Sequence, residues 1–223
     1  DVPLPSEADG IDFEGEFGVI TGPVPMAATP AQALAAVRLL VQINDWSLRT
    51  VGAVEVRTGF GFLQAKPSSS FAPVAITPDE LGDAWVDGRV NLPLHVEWNG
   101  QWFGHAHGSE MNYGFGELIA HAARTRKLTA GCIVGSGTVS NVSRSAGSSC
   151  IAERRVIEPG DAAELSRGDV PAHAVIREVG ERVAQRRELP VEDRADARLR
   201  AVEDQVVQPE VAVHDRGLVA RGH

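Results

Sequence analysis

Cysteine, methionine, tyrosine and positive charge are all scarce in this chain of 223 residues. Cys132 and Cys150 are the only cysteines, and they lack ligand-like spacing. That argues for free thiols in a reducing, cytoplasmic setting, with one disulfide between them as the less favoured alternative. Lys and Arg number 21 against 30 Asp and Glu, a net charge of −9. A nucleic-acid surface needs a basic face, so that partner class is set aside. No apolar run reaches the roughly 18 residues of a membrane helix, and the first residues show no signal-peptide core. No Phe, Trp or Tyr follows Phe115, and no Lys or Thr follows Thr138. The first residue is Asp rather than Met, which we read as the start of an internal fragment.

What is present suits an ordinary soluble protein with a substantial core: 43% hydrophobic residues and a mean hydropathy of −0.10. After an acidic lead-in over 1–12, GIDFEGEFGVITG reads as a strand over 13–21, closed by the turn TGPVP. Thr29 caps and Pro30 opens a predicted helix whose apolar spacing continues to Val41. GFGFLQAKPSSSFAPVAITPDEL predicts a loop, a short strand and a capped turn at Thr77–Leu81. RVNLPLHVEWNGQWFG alternates around Asn99-Gly100, a strong hairpin signal. FGELIAHAARTRKLTAG predicts a helix of about three turns closed by Gly131. CIVGSGTVSN predicts a short strand entering a Gly/Ser/Thr loop. We divide the chain into a folded unit over 1–158 and an atypical charged tail over 159–223. The tail is rich in Arg, Glu, Asp, Ala and Val. It is expected to form charged helices broken at Pro190 and Pro209, or to stay weakly folded or disordered. A slipped reading frame in a GC-rich gene would give the same composition, an expectation that resequencing tests.

The first candidate site lies on the opening strand. Side chains two apart in a strand share a face, roughly 7 Å apart. Glu14 and Glu16 therefore sit together, opposite Phe13, Phe17 and Val19. Either the strand is half exposed and the glutamates face water, or they share a hard divalent cation with a third oxygen ligand. Asp45 in QINDWSLR is the best third ligand, carried back over the sheet after the predicted helix; otherwise it is an ordinary turn residue. Lys66 in LQAKPSSSF either neutralises an enolate or carboxylate, or snorkels at the surface. Arg49 either grips a substrate carboxylate or is solvated. GSGTVSN offers backbone amides and the Thr138 hydroxyl as an anion cradle, or is a tight turn. Glu153, in what reads as an apolar-flanked strand, is a candidate base or a surface ion-pair partner. His105, His107 and His121 have no Glu or Cys at metal spacing and are discounted.

The stretches FEGEFGVITG, INDWSLR, GFGFLQAKPSSSFAPVAITPDELG, LIAHAARTRKLTAGCIVGSGTVSN and SSCIAERRVIE occur in that order over residues 10–158. Together they resemble the fumarylacetoacetate hydrolase family, in particular bacterial members related to acylpyruvases, oxaloacetate decarboxylases and 2-hydroxyhepta-2,4-diene-1,7-dioate isomerases. The resemblance implies an α+β fold, a mixed β-sheet roll or sandwich with a few peripheral helices. It implies Mg²⁺, with Mn²⁺ or Ca²⁺ as alternatives, held by Glu14, Glu16 and Asp45. It implies that Lys66 stabilises developing charge beside the metal, and that Arg49 and Thr138 contact the substrate. It implies that Glu153 is the glutamate that pairs with a histidine to activate water. The implied reaction is hydrolysis of a C–C bond in a 2-oxo or β-diketo acid. Decarboxylation, isomerisation or hydration on the same scaffold, or an inactive metal-binding fragment, are the alternatives. A homodimer is expected, with no nucleic-acid or membrane partner. In many members an N-terminal portion supplies the histidine, so we expect a catalytic domain incomplete at its N-terminus.

Overall fold

The computed structural model describes residues 2–157 and the backbone of a strand at 174–177. Its elements run β1 (Ile11–Asp12), β2 (Gly15–Thr21), α1 (Pro30–Leu34), β3 (Val37–Asn44), β4 (Ser47–Leu48), α2 (Arg49–Glu55), β5 (Ser70–Phe71) and α3 (Pro78–Leu81). Then follow β6 (Trp85–Val86), β7 (Arg89–Val90), β8 (Pro93–Trp98), β9 (Gln101–His107), α4 (Phe115–Ala122), β10 (Ile133–Gly135), α5 (Ile151–Ile157) and β11 (Ala174–Arg177). One antiparallel sheet has the order β10-β2-β3-β5 and a second the order β11-β8-β9; β1-β4 and β6-β7 are two-stranded ribbons. This is the expected α+β roll with short helices at its edges, but the sheets expected to be mixed are antiparallel throughout the described residues. The tail helices expected around Pro190 and Pro209 lie outside the described residues.

Two apolar clusters hold the sheets together. The larger packs Phe17, Val19, Leu40, Leu94, Phe115 and Ile119, so that β2, β3, β8 and α4 share one core. The smaller sets Phe13, Trp98 and Phe103 edge to face, with Phe13 and Phe103 centroids 5.0 Å apart, over Ile11, Trp46 and Ile151. Between them, β2 is buried along nearly its whole length on both faces. The reading in which Glu14 and Glu16 face water is therefore wrong: Glu14, just before β2, is 7% exposed and Glu16 5%.

The expected hairpin forms with Asn99 and Gly100 both at positive φ, 52° and 73°, the geometry of a turn that matches strand twist. The capping box at Thr29 and Gln32 also forms, yet the helix it starts stops at Leu34 instead of Val41. Val37, Val41 and Ile43 belong to β3, paired with β2 on one side and β5 on the other. β-Branched side chains suit a pleated, buried surface, and pairing on both edges overrides the helical spacing of the apolar residues. Asp45 thus follows a central strand, not a helix.

The helix expected to reach Gly131 ends at Ala122. The next ten residues fold back along 21–27: Val24 and Leu128 exchange backbone hydrogen bonds, and the Gly131 amide donates to Thr21. Glu153, expected in a strand, lies in the first turn of α5. That helix starts where the Ile151 and Ala152 amides donate to the distant carboxylate of Asp12, a cap supplied from 139 and 140 residues away. Cys132 and Cys150 are free thiols. No helix among the described residues is long and apolar enough to cross a membrane.

Candidate metal centre

The antiparallel pairing of β2 with β3 builds the site. Gly15 faces Asn44 in the ladder, and just beyond it the Asp45 amide donates to the Glu14 carbonyl at 2.9 Å. Glu14 and Asp45 are thereby neighbours across the sheet, and Glu16 falls on the Glu14 face by strand alternation. One carboxylate oxygen from each of the three residues lies within 4.8 Å of the other two. That is about the span across one cation with metal–oxygen distances of about 2.1–2.4 Å. An all-carboxylate donor set suits a hard divalent ion such as Mg²⁺, Mn²⁺ or Ca²⁺. The residues present fit the metal that the sequence predicts.

Two cations press against the triad. The Lys66 ammonium donates to Glu14 Oε2 at 2.6 Å, Asp45 Oδ2 at 2.8 Å and the Ser47 hydroxyl at 2.7 Å, using all three of its hydrogens. The snorkelling alternative for Lys66 is thus ruled out. Burial pulls the Lys66 pKa down, but its hydrogen bonds to Asp45 and Glu14 outweigh this and hold it above the ordinary value. Arg49 pairs with Asp12 through Nε at 2.8 Å and Nη2 at 2.7 Å, and reaches Glu14 Oε1 at 2.8 Å. Burial lowers its pKa as well; the Asp12 and Glu14 carboxylates more than reverse that. The second oxygen of Asp45 accepts from the Ser69 hydroxyl at 3.0 Å, and the Asn44 side chain accepts from the Glu14 amide at 3.2 Å.

Glu16 is the exception. Among the described residues, no lysine or arginine forms an ion pair with it. Its pKa is pushed up to about 8, first by burial and then by the charges of Asp45 and Glu14, with Lys66 and the Gly137 amide acting the other way. The Gly137 amide donates to its Oε2 at 3.2 Å. Gly135 passes so close that a Cβ there would overlap the same oxygen. The end of β10 thus runs its backbone against this carboxylate, and a methyl at position 135 would push the Glu16 side chain aside. Thr138 follows in the loop after β10, half-buried between Gly137 and the buried Val139. The Glu153 carboxylate accepts from the Ser140 hydroxyl and from the Ser149 amide, tying α5 to the end of the same loop. Thr138 and Glu153 thus stand on one loop-and-helix segment, while Arg49 and Lys66 come from the 45–66 segment.

The profile described as fumarylacetoacetate (FAA) hydrolase C-terminal matches residues 1–180. This chain belongs to that family. A curated relative, the 2,4-didehydro-3-deoxy-L-rhamnonate hydrolase of Sphingomonas sp. (strain SKA58), is 28% identical over 141 residues. The match takes in 62% of this chain and 47% of the relative, so the chain spans about half of that protein's length. Among solved structures, a fumarylacetoacetate hydrolase family protein from Yersinia pestis CO92 superposes with a TM-score of 0.54 at 26% identity. That superposition covers 61% of this chain and 64% of the other. The fumarylpyruvate hydrolase of Pseudomonas aeruginosa, solved with Mn²⁺ and pyruvate, shares the fold with a TM-score of 0.54 at 16% identity over 62% and 58% of the two chains.

Sequence reasoning missed Asp12, Ser47 and Ser69. Asp12 had a signal, because it lies on the same alternating face as Glu14 and Glu16. The two serines had none. Only the fold of the 45–70 segment brings them to Lys66 and Asp45.

Proposed function

We propose that this domain is the metal-binding catalytic part of a Mg²⁺- or Mn²⁺-dependent hydrolase that cleaves a C–C bond in a 2-oxo or β-diketo acid. The observation that carries this reading is the convergence of Glu14, Glu16 and Asp45 on one point with Lys66 beside them. When bound there, a divalent cation supplies Lewis-acid polarisation of a carbonyl group.

The chain's own residues do the rest. Glu14, Glu16 and Asp45 hold the cation. Lys66, three-quarters buried and fixed by Glu14, Asp45 and Ser47, presents a positive charge that is already oriented when negative charge develops on a substrate oxygen. Arg49, a third exposed, supplies the guanidinium that attracts a carboxylate. Thr138 and its neighbouring amides bind the acid from the loop side. Glu153 is the proton acceptor of this reading, a carboxylate set in place by Ser140 and Ser149. A cleft of about 240 Å³, open to solvent, lies beside Lys66 and Arg49, and Val56, Phe62 and Ala65 on its wall offer apolar contact to the rest of a substrate.

The test is an absorbance assay with an acylpyruvate and with oxaloacetate, each in Mg²⁺, Mn²⁺ or EDTA. Metal-dependent loss of the acylpyruvate enol band is the expected result. Turnover of oxaloacetate alone would move the reaction to decarboxylation. Equal rates in EDTA would overturn the metal reading.

A further inference from the structure

Asp12 is 2% exposed and carries a full complement of hydrogen bonds. Its Oδ1 accepts from the Ile151 amide at 2.8 Å. Its Oδ2 accepts from the Ala152 amide at 3.0 Å and from Arg49 Nε and Nη2 at 2.8 and 2.7 Å. The same Arg49 Nη2 reaches Glu14 Oε1 at 2.8 Å. One buried carboxylate thus joins the helix that carries Glu153 to the cation that leans on a metal-ligand residue.

We propose that Asp12 is a positioning residue of this site: it divides Arg49 between itself and Glu14, leaving Glu14 available to a metal, and moors the first turn of the Glu153 helix. The role rests on the metal reading given above. Asp12 and Glu14 compete for the same guanidinium. A guanidinium held by two carboxylates leans less heavily on each than a guanidinium left with one. Without the Asp12 charge, Arg49 has Glu14 as its sole carboxylate partner among these contacts, and an entering divalent ion must displace it. The lost negative charge also weakens the field that attracts the ion. Both effects act in one direction, toward weaker metal binding.

The test is a double-mutant cycle on the full chain, read as Mn²⁺ and Mg²⁺ affinity by titration calorimetry. Fluorescence of Trp46, the buried neighbour of Asp45, gives a second readout. Asp12→Asn is expected to weaken metal binding by about 10–100-fold, the range for partners that orient a metal ligand. Arg49→Met is expected to tighten binding, because it removes the competitor. In the Arg49→Met background the Asp12→Asn effect is expected to shrink severalfold. A purely structural role predicts a different pattern. Amide exchange at Ile151 and Ala152 would rise in Asp12→Asn while metal affinity stayed unchanged or the two effects added. That pattern overturns the proposal. If Asp12→Asn fails to fold, Arg49→Met decides alone: tighter binding supports the role, and unchanged or weaker binding removes it. Absence of metal binding by the wild-type chain would remove the metal reading and this role together, whereas binding insensitive to both substitutions would remove only the role.

Discussion

The two faces of the strand around Gly15 are buried almost equally and for opposite reasons. Phe13, Phe17 and Val19 on one face are at most 2% exposed and lie in apolar clusters, where leaving water is favourable. Glu14 and Glu16 on the other face are 7% and 5% exposed, where leaving water is unfavourable for a charge unless it is compensated. Glu14 is compensated by Lys66 and Arg49. Glu16 has one backbone amide and, among the described residues, no ion-pair partner; burial, followed by the charges of Asp45 and Glu14, raises its pKa to about 8. The contrast shows what each face is for. Apolar burial holds the sheets in register, and that register forces three carboxylates closer than they would stand in an unconstrained chain.

Substitutions on the two faces should part stability from metal binding. The largest effect is expected from Phe17→Ala, about 3–5 kcal/mol of lost stability in denaturant unfolding, as for other large-to-small changes in a packed core. Any metal-affinity change measured in its folded fraction should be small by comparison. Glu16→Gln keeps the shape and removes the charge. Metal affinity should fall by more than about 100-fold, beyond the 10–100-fold of an outer partner, while stability of the metal-free protein at pH 8 holds or rises. Equal losses of stability from both variants would erase the distinction between the faces.

A pH series tests the same contrast more gently. The folded-state pKa of Glu16, about 8, lies above its ordinary value of 4.5. The folded protein therefore keeps a proton that the unfolded chain releases between those values. Stability contributed by Glu16 is full below about pH 4.5, falls as pH rises through this window and levels off above about 8. Metal binding runs the other way, since a proton on Glu16 competes with the ion. Thermal unfolding of the metal-free protein should show the Glu16-dependent decline, and saturating Mn²⁺ should raise the melting temperature more at pH 8 than at pH 6. Glu16→Gln should flatten both trends. The smallest expected effect is that of Gly135→Ala, whose added methyl presses on Glu16 Oε2. Metal affinity should drop by about 10-fold, the lower end for disturbing a ligand's support, with little change in unfolding.

Much of this centre was legible along the chain because its signals are local. Alternation placed Glu14 and Glu16 on one face, Asn99-Gly100 marked the hairpin, and Thr29-Pro30 marked a helix start that does form. The errors all occur where a distant partner overrides a local preference. Residues 37–41 have helical spacing but become a strand between two others. Residues 151–157 look like a strand but become a helix, with Asp12 accepting from its first amides. The stretch leading to Gly131 looks helical to its end but pairs back along 21–27.

By itself, the sequence determined which residue types could hold a divalent cation and in what order along the chain they occur, because the two-residue period of a strand is a property of the backbone. Tertiary structure decided how Asp45 reaches the triad, from just past the neighbouring strand β3, and it alone decided that Lys66 and Arg49 pair with the carboxylates as counter-charges and that Asp12 links Arg49 to α5. Charges interact over a few ångströms of space whatever their separation in sequence, so their pairing appears only once the sheets have brought them together.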